Sequence, residues 1–336
     1  MALVQLIMKR YFILYLSAFI LLFLVSCKQK KQSDNWDDTL NSGVVRVACD
    51  WNFQPMMDVQ VQSFGFHSDF QAVVLPVYGN EKEAIRLLIE DSVRLAVVSR
   101  DLNQAEKAEM EAKNMYPKKY LIAFDGIAFI TNAVNTDSLM TVSTLKKILT
   151  GEFTEWSQIN PKTSLGTIRV LFDNKDSGVI RYVVDSITET GDVSKNLYAM
   201  NSPLELMEKV VEMPNTIGII GASILSNEVA YGLRELRKNV RTVRVSRDEH
   251  PTVENSYLPL AGDIIKENYP FWRPVYALLS DPRSGLSSGF TIFLSQEVGQ
   301  LVMLKSGLLP ISDPHVVKVR IIDGFPDENT RSRTIN

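Results

Sequence analysis

From about residue 43 onward, short β-branched runs alternate with stretches of helical period, and this alternation most restricts how the chain can fold. Val44–Cys49, Ala72–Val77 and Leu95–Val98 read as strands, and Glu81–Asp91 places Ala84, Leu87 and Leu88 on one helical face. Strands joined through helices must run parallel, so the pattern calls for a largely parallel sheet covered by helices. Leu121–Thr131 is an apolar strand long enough to carry the chain out of this first unit. A second α/β unit follows. Its elements are a helix over Ser143–Gly151, with Ser143 as N-cap and Gly151 as stop, a strand at Thr167–Phe172 and a helix opening near Ser177. A helix at Leu204–Glu212 and a strand at Ile217–Ile220 complete it. Tyr269–Leu279 reads as a strand returning to the first unit, and Ser287–Leu304 as one long closing helix. A chain of 336 residues with 45% apolar content can bury two such cores. The expected division is residues 43–131 plus 268–322 as lobe I, 132–267 as lobe II and a polar tail over 323–336.

The opening residues read as an export signal. Lys9 and Arg10 precede the apolar run Tyr11–Val25, and Leu24-Val25-Ser26-Cys27 ends it before the polar Lys28-Gln29-Lys30-Lys31-Gln32. That ending resembles a bacterial lipobox, in which Cys27 would be acylated and residues 1–26 removed. The alternative is a single-span anchor with an incidental cysteine, against which the shortness of the run argues. Met8, just before the basic pair, is a second candidate start. Residues 27–42 lack apolar periodicity and read as a flexible tether. Cys49, the other cysteine, lies within a strand and reads as a small buried hydrophobe, so no structural disulfide is expected.

A formal charge of −3 without clustered Lys or Arg argues against a nucleic-acid partner. His67, His250 and His315 lie far apart and near no cysteine, so no metal or other cofactor is expected.

Three segments in order then resemble the phosphate-binding substrate-binding proteins of ABC importers. They are Thr141–Trp156 (TVSTLKKILTGEFTEW), similar to that family's "L..IF.G....W"; Tyr269–Leu279, similar to "YP..RP.Y"; and Ser288–Pro310, similar to its closing helix with a final "G..P". The resemblance spans roughly residues 43–312. It implies an α/β, two-lobed periplasmic-binding-protein fold of type II, with a ligand cleft between lobes and two hinge crossings.

Four segments match the family's ligand loops. Asp50–Pro55 offers the Asn52 amide and the Phe53 backbone N–H; Ser99-Arg100 matches an "SR" turn; Asp125-Gly126-Ile127-Ala128 matches "DGIA"; and Asp173–Val179 aligns with "R..GSGT". The resemblance implies that Asn52, Phe53, Ser99, Arg100, Asp125, Ser177, Gly178 and Arg181 bind the ligand. Independently, Ser177-Gly178 opening a helix after a strand is a geometry that suits an oxyanion, although such a serine equally serves as a plain N-cap. Asp173 stands where the family has arginine, and Val179 where it has threonine. Arg181, one turn after Ser177, or Arg100 could restore the charge, or either could form a structural ion pair. For Asp125 the resemblance implies acceptance of a hydrogen bond from protonated phosphate; capping the turn at Gly126 or pairing with Arg100 are the other readings.

The implied function is capture of inorganic phosphate or a related oxyanion in the periplasm for an inner-membrane ABC permease, with attachment to the membrane through lipidated Cys27. An accessory or sensory lipoprotein with weak or altered anion binding is the alternative. A secreted hydrolase is less favoured, because Ser177 lies in no G-x-S-x-G elbow and no histidine falls near the other matched loops.

Overall fold

In the computed structural model, residues 38–69, 71–188, 195–226 and 233–312 are described. The expected signal segment, most of the tether including Cys27, and the polar tail lie outside them.

The strands are β1 (Gly43–Asp50), β2 (Ala72–Gly79), β3 (Leu95–Val98), β4 (Lys118–Asn132), β5 (Leu139–Thr141) and β6 (Arg169–Phe172). They continue with β7 (Leu197–Ala199), β8 (Thr216–Gly221), β9 (Val240–Thr242), β10 (Arg244–Ser246), β11 (Trp272–Leu279) and β12 (Leu309–Pro310). Among the described residues the main sheet has the order β2-β1-β3-β11-β4-β8-β6-β7, with β9 and β12 also on β4, while β5 and β10 pair separately. β1 runs parallel to β2 and β3, and β6 parallel to β7 and β8, as helical crossovers require. β11 and β4 are antiparallel to their neighbours and lie mid-sheet. The 15-residue β4 pairs through Lys118–Gly126 with β11 and through Ile127–Thr131 with β8, so it belongs to both halves of the sheet.

Each half has apolar cores on both faces. In the first, Phe64, Phe290, Phe293, Met56 and Met57 pack on one face, and Ala84, Ile85, Leu88 and Met110 on the other. In the second, Trp156, Phe129, Phe172 and Ile219 face Leu206, Met207 and Val210 across the sheet. A sheet covered on both faces reads as continuous apolar runs, which is why Leu95–Val98 and Thr216–Gly221 are buried along their whole length.

Two local expectations are corrected. The helix over Val142–Thr150 is capped by Thr141, not Ser143: pairing with β10 delivers Thr141 in extended conformation, and its hydroxyl accepts from Thr144 N at 2.9 Å. Gly151 ends this helix with φ 83°, a left-handed conformation that glycine adopts without a Cβ penalty. The single closing helix is instead two, Leu286–Ser295 and Glu297–Lys305, broken where Gln296 is extended. Gln300 Nε2 donates to Leu294 O at 2.7 Å and to Ile122 O at 2.9 Å, satisfying a carbonyl that the break exposes. Gly299 permits the fold-back, since a Cβ there would collide with the Phe293 carbonyl.

Candidate functional site

The parallel strands of both halves end in one place, and their ends carry the polar residues. Asp50 closes β1, Glu81 follows β2 by two residues, Ser99 follows β3, Asp173 follows β6 and Ser223 follows β8. Crevices outside the carboxyl ends of strands are where open α/β sheets present backbone donors and short polar side chains to a ligand. Here these residues are buried together: Asp50, Asn52 and Asp125 are fully enclosed, and Asp173, Ser177, Ser99 and Glu81 nearly so.

At the centre lies Arg273, fully buried on β11. Its Nη2 and Nε donate to Asp125 Oδ2 at 3.0 and 3.2 Å, Nη1 reaches Ser99 Oγ at 3.3 Å, and the guanidinium sits over the Phe53 ring at 5.1 Å. Burial disfavours its charge, but Asp125, Asp50 and Glu81 more than offset this, so its pKa rises. Asp125 also accepts from Ser223 N at 3.2 Å, and Ser223 Oγ donates to Asn52 O at 3.1 Å. Asp125 therefore pairs with Arg273 rather than with Arg100.

Two sets of hydrogen bonds run between the halves. Asn52 Nδ2 donates to Asp173 Oδ2 at 2.7 Å, and Ser177 Oγ to Asp173 Oδ1 at 2.7 Å. Arg181 Nε donates to Glu81 Oε1 at 2.7 Å, while Ser99 N, at 2.9 Å, and Ser99 Oγ donate to Glu81 Oε2. Ser177 is also the N-cap of the helix over Gly178–Tyr182, with Ile180 N at 3.4 Å from its hydroxyl. Gly178 meets the opposite half so closely that a Cβ would stand 2.7 Å from both Arg273 Nη1 and Glu81 Oε2.

Of the eight residues suggested by the sequence, Asn52, Phe53, Ser99, Asp125, Ser177, Gly178 and Arg181 converge here. Arg100 stands at the edge, its Nη1 and Nη2 each 2.7 Å from Glu106 and its Nε 3.6 Å from Glu81. The sequence reading passed over Glu81, Arg273 and Asp50. Glu81 looked like an acid in a first helical turn, which the helix dipole favours anywhere. Arg273 was visible only as part of a return-strand motif. Asp50 carried one usable signal, its place at the end of β1.

The carboxylates give the site its electrostatic character. Burial raises Asp50 to about 7, against the Arg273 charge and with Glu81 and Asp173 adding to the rise. Burial likewise raises Asp125 and Asp173, opposed chiefly by Arg273 and by the bonds from Ser177 and Asn52 respectively. For Glu81 burial acts upward too, but the charge and hydrogen bond of Arg181 and the Ser99 hydroxyl outweigh it, so it is held ionised below its usual range. Two acceptors within this layer, Asp50 Oδ2 and Asn52 Oδ1, have no hydrogen-bond partner among the described residues. The layer combines hydroxyl, amide and guanidinium donors with acceptors able to receive a proton-bearing ligand oxygen. No group of three or more His, Cys, Asp or Glu side chains among the described residues is arranged to hold a metal ion.

The family model described as a PBP superfamily domain matches residues 36–297. The chain belongs to that superfamily. It is 24% identical over 302 residues to the phosphate-binding protein PstS of Borreliella burgdorferi, covering 87% of this chain and 98% of that one. Its fold is similar to that of a Clostridium perfringens protein described as a phosphate ABC transporter substrate-binding protein, solved with bound phosphate. The TM-score is 0.65 at 20% identity, over 80% of this chain and all of that one. An ABC-type phosphate transport receptor from Vibrio cholerae superposes with a TM-score of 0.57 at 21% identity, over 80% of this chain and all of the other. The architecture is the two-lobed α/β fold of periplasmic binding proteins.

Proposed function

We propose that this protein captures inorganic phosphate, or a closely related oxyanion, as the solute-binding component of an ABC importer, and performs no chemistry on it. The observation that carries this reading is the meeting of Asn52, Ser99, Ser177 and Gly178 with the guanidiniums of Arg181 and Arg273 where the strand ends of both halves face each other. Hydroxyl, amide and guanidinium donors on opposing walls suit a tetrahedral anion, and closure of the walls would sequester it. The relatives named as phosphate-binding proteins support the same reading. We take residues 43–131 plus 268–322 and 132–267 as the moving lobes, Cys27 as the lipidated anchor and the periplasmic face of the envelope as the location. Calorimetric titration with phosphate, sulfate and arsenate tests the assignment: phosphate should bind most tightly, and a protein that prefers sulfate or binds none of them overturns it.

A second reading, a sensory or accessory lipoprotein with weakened anion binding, is favoured by one observation. Asp50, Glu81, Asp125 and Asp173 are all buried in the layer where the anion would sit. Phosphate affinity far too weak for capture would select it.

A further inference from the structure

Glu81 is held at its carboxylate by donors from both halves of the sheet. Its carboxylate, 2% exposed as a residue, accepts from a backbone N–H (Ser99, 2.9 Å), a hydroxyl (Ser99 Oγ) and a guanidinium (Arg181 Nε, 2.7 Å), with Arg100 Nε 3.6 Å away. That donor set, backbone amide plus hydroxyl plus guanidinium, is the one a bound oxyanion would draw on. The carboxylate also lies against Gly178, where a Cβ would come within 2.7 Å of Glu81 Oε2. Glu81 and Arg181 are 100 residues apart in the chain and belong to opposite halves of the sheet, so this pair ties the halves together. Asp173 repeats the arrangement on a smaller scale, holding Asn52 from one half and Ser177 from the other.

We propose that Glu81 is a built-in competitor for the oxyanion: its carboxylate takes the Ser99 and Arg181 donors, holds the cleft closed, and must be exchanged for the incoming anion. This rests on the capture reading above. Two full negative charges cannot share one hydroxyl and one guanidinium, because like charges at contact distance in a low-dielectric layer repel strongly. The anion therefore binds only those molecules in which Glu81 has swung away, and the apparent affinity is reduced by the fraction of molecules in that state. Glu81 thereby sets affinity without contacting the bound ligand.

The test uses the full chain in detergent, titrated with inorganic phosphate by calorimetry and followed by hydrogen exchange. Parent, Glu81→Ala, Glu81→Gln and Arg181→Ala are compared. Glu81→Ala should bind phosphate at least ~10-fold more tightly, and Glu81→Gln should fall between it and the parent because the amide keeps one acceptor. Arg181→Ala should bind no more tightly than the parent, since it loses a ligand donor together with the tie. Exchange over residues 97–100 and 177–182 should quicken in both Glu81→Ala and Arg181→Ala. Phosphate bound by Glu81→Ala no more tightly than by the parent overturns the competitor role. If none of the proteins binds phosphate, the capture reading falls, and exchange alone then decides the tie: faster in Glu81→Ala upholds it, unchanged overturns it.

Discussion

Asp50 shows how one buried carboxyl couples the site to pH. Its Oδ1 caps the turn at Asn52 N, 3.0 Å away, while its Oδ2 has no partner among the described residues, and burial raises its pKa from 3.8 to about 7. An acid raised in this way is protonated in the folded chain at pH values where the unfolded chain has released the proton. Its contribution to stability is greatest below 3.8, declines as pH rises toward about 7 and is flat above. Asp50→Asn keeps the cap and removes the titration. Melting temperatures measured from pH 4.5 to 7.5 should fall less steeply in Asp50→Asn than in the parent, and parallel profiles would show that Asp50 does not titrate in this window. Asp125 is a different case, since it neutralises the fully buried Arg273. Asp125→Asn should cost about 3–5 kcal/mol in urea unfolding, because it takes from the buried Arg273 the one carboxylate among the described residues that hydrogen-bonds it. If Asp125 also receives the phosphate proton, the same variant should narrow the preference for phosphate over sulfate, which offers no proton. Unchanged selectivity with lowered stability would leave it solely the partner of Arg273.

At the level of elements, the helix opening at Gly178 joins local sequence to the contact between halves. Ser177 caps it, and the glycine lets its first turn approach Ser99, Arg273 and Glu81. Gly178→Val should leave each half folded, because the clash falls on side chains of the opposite wall. It should nevertheless prevent that wall from closing, with phosphate affinity reduced at least tenfold, about 1.4 kcal/mol. Phosphate binding equal to that of the parent would remove this turn from the site. The break at Gln296 is the element the sequence misrepresents. The broken arrangement needs a residue without a Cβ at Gly299, and it is held by the carbonyls of Leu294 and Ile122 that accept from Gln300 and by the Gly299 carbonyl that accepts from Gln60.

For the whole molecule, the first described residue, Asp38, accepts at Oδ1 from Leu286 N at 2.8 Å, on the face where Gly289 packs against Leu40. The site lies elsewhere, at the strand ends, so attachment and ligand capture should be separable. Cys27→Ala should shift the protein out of the membrane fraction, or leave it unprocessed, with phosphate titration unchanged. Retention in membranes after cleavage at an ordinary signal site would mean that Cys27 is not the anchor.

The alternation of strand and helix, with the apolar faces it prescribes, was sufficient to identify β1, β2, β3, β4, β6, β8 and β11 and the helices over Glu81–Ile89, Val142–Thr150 and Pro203–Glu212, because periodicity reports burial directly; the helices over Gln54–His67 and Gln104–Ala112 were not legible from it. The resemblance to the family's loop motifs pointed to Asn52, Ser99, Asp125 and Ser177, which lie together in one buried layer. What the sequence could not supply was pairing across distance. That Glu81 faces Arg181, that Asp173 holds Asn52, and that Arg273 rather than Arg100 answers Asp125 follow only from the antiparallel insertion of β11 and the meeting of the two sets of strand ends. A charged side chain carries no periodic signature of its partner. Which ions meet is decided by how the sheet brings residues about a hundred or more positions apart to within hydrogen-bonding distance.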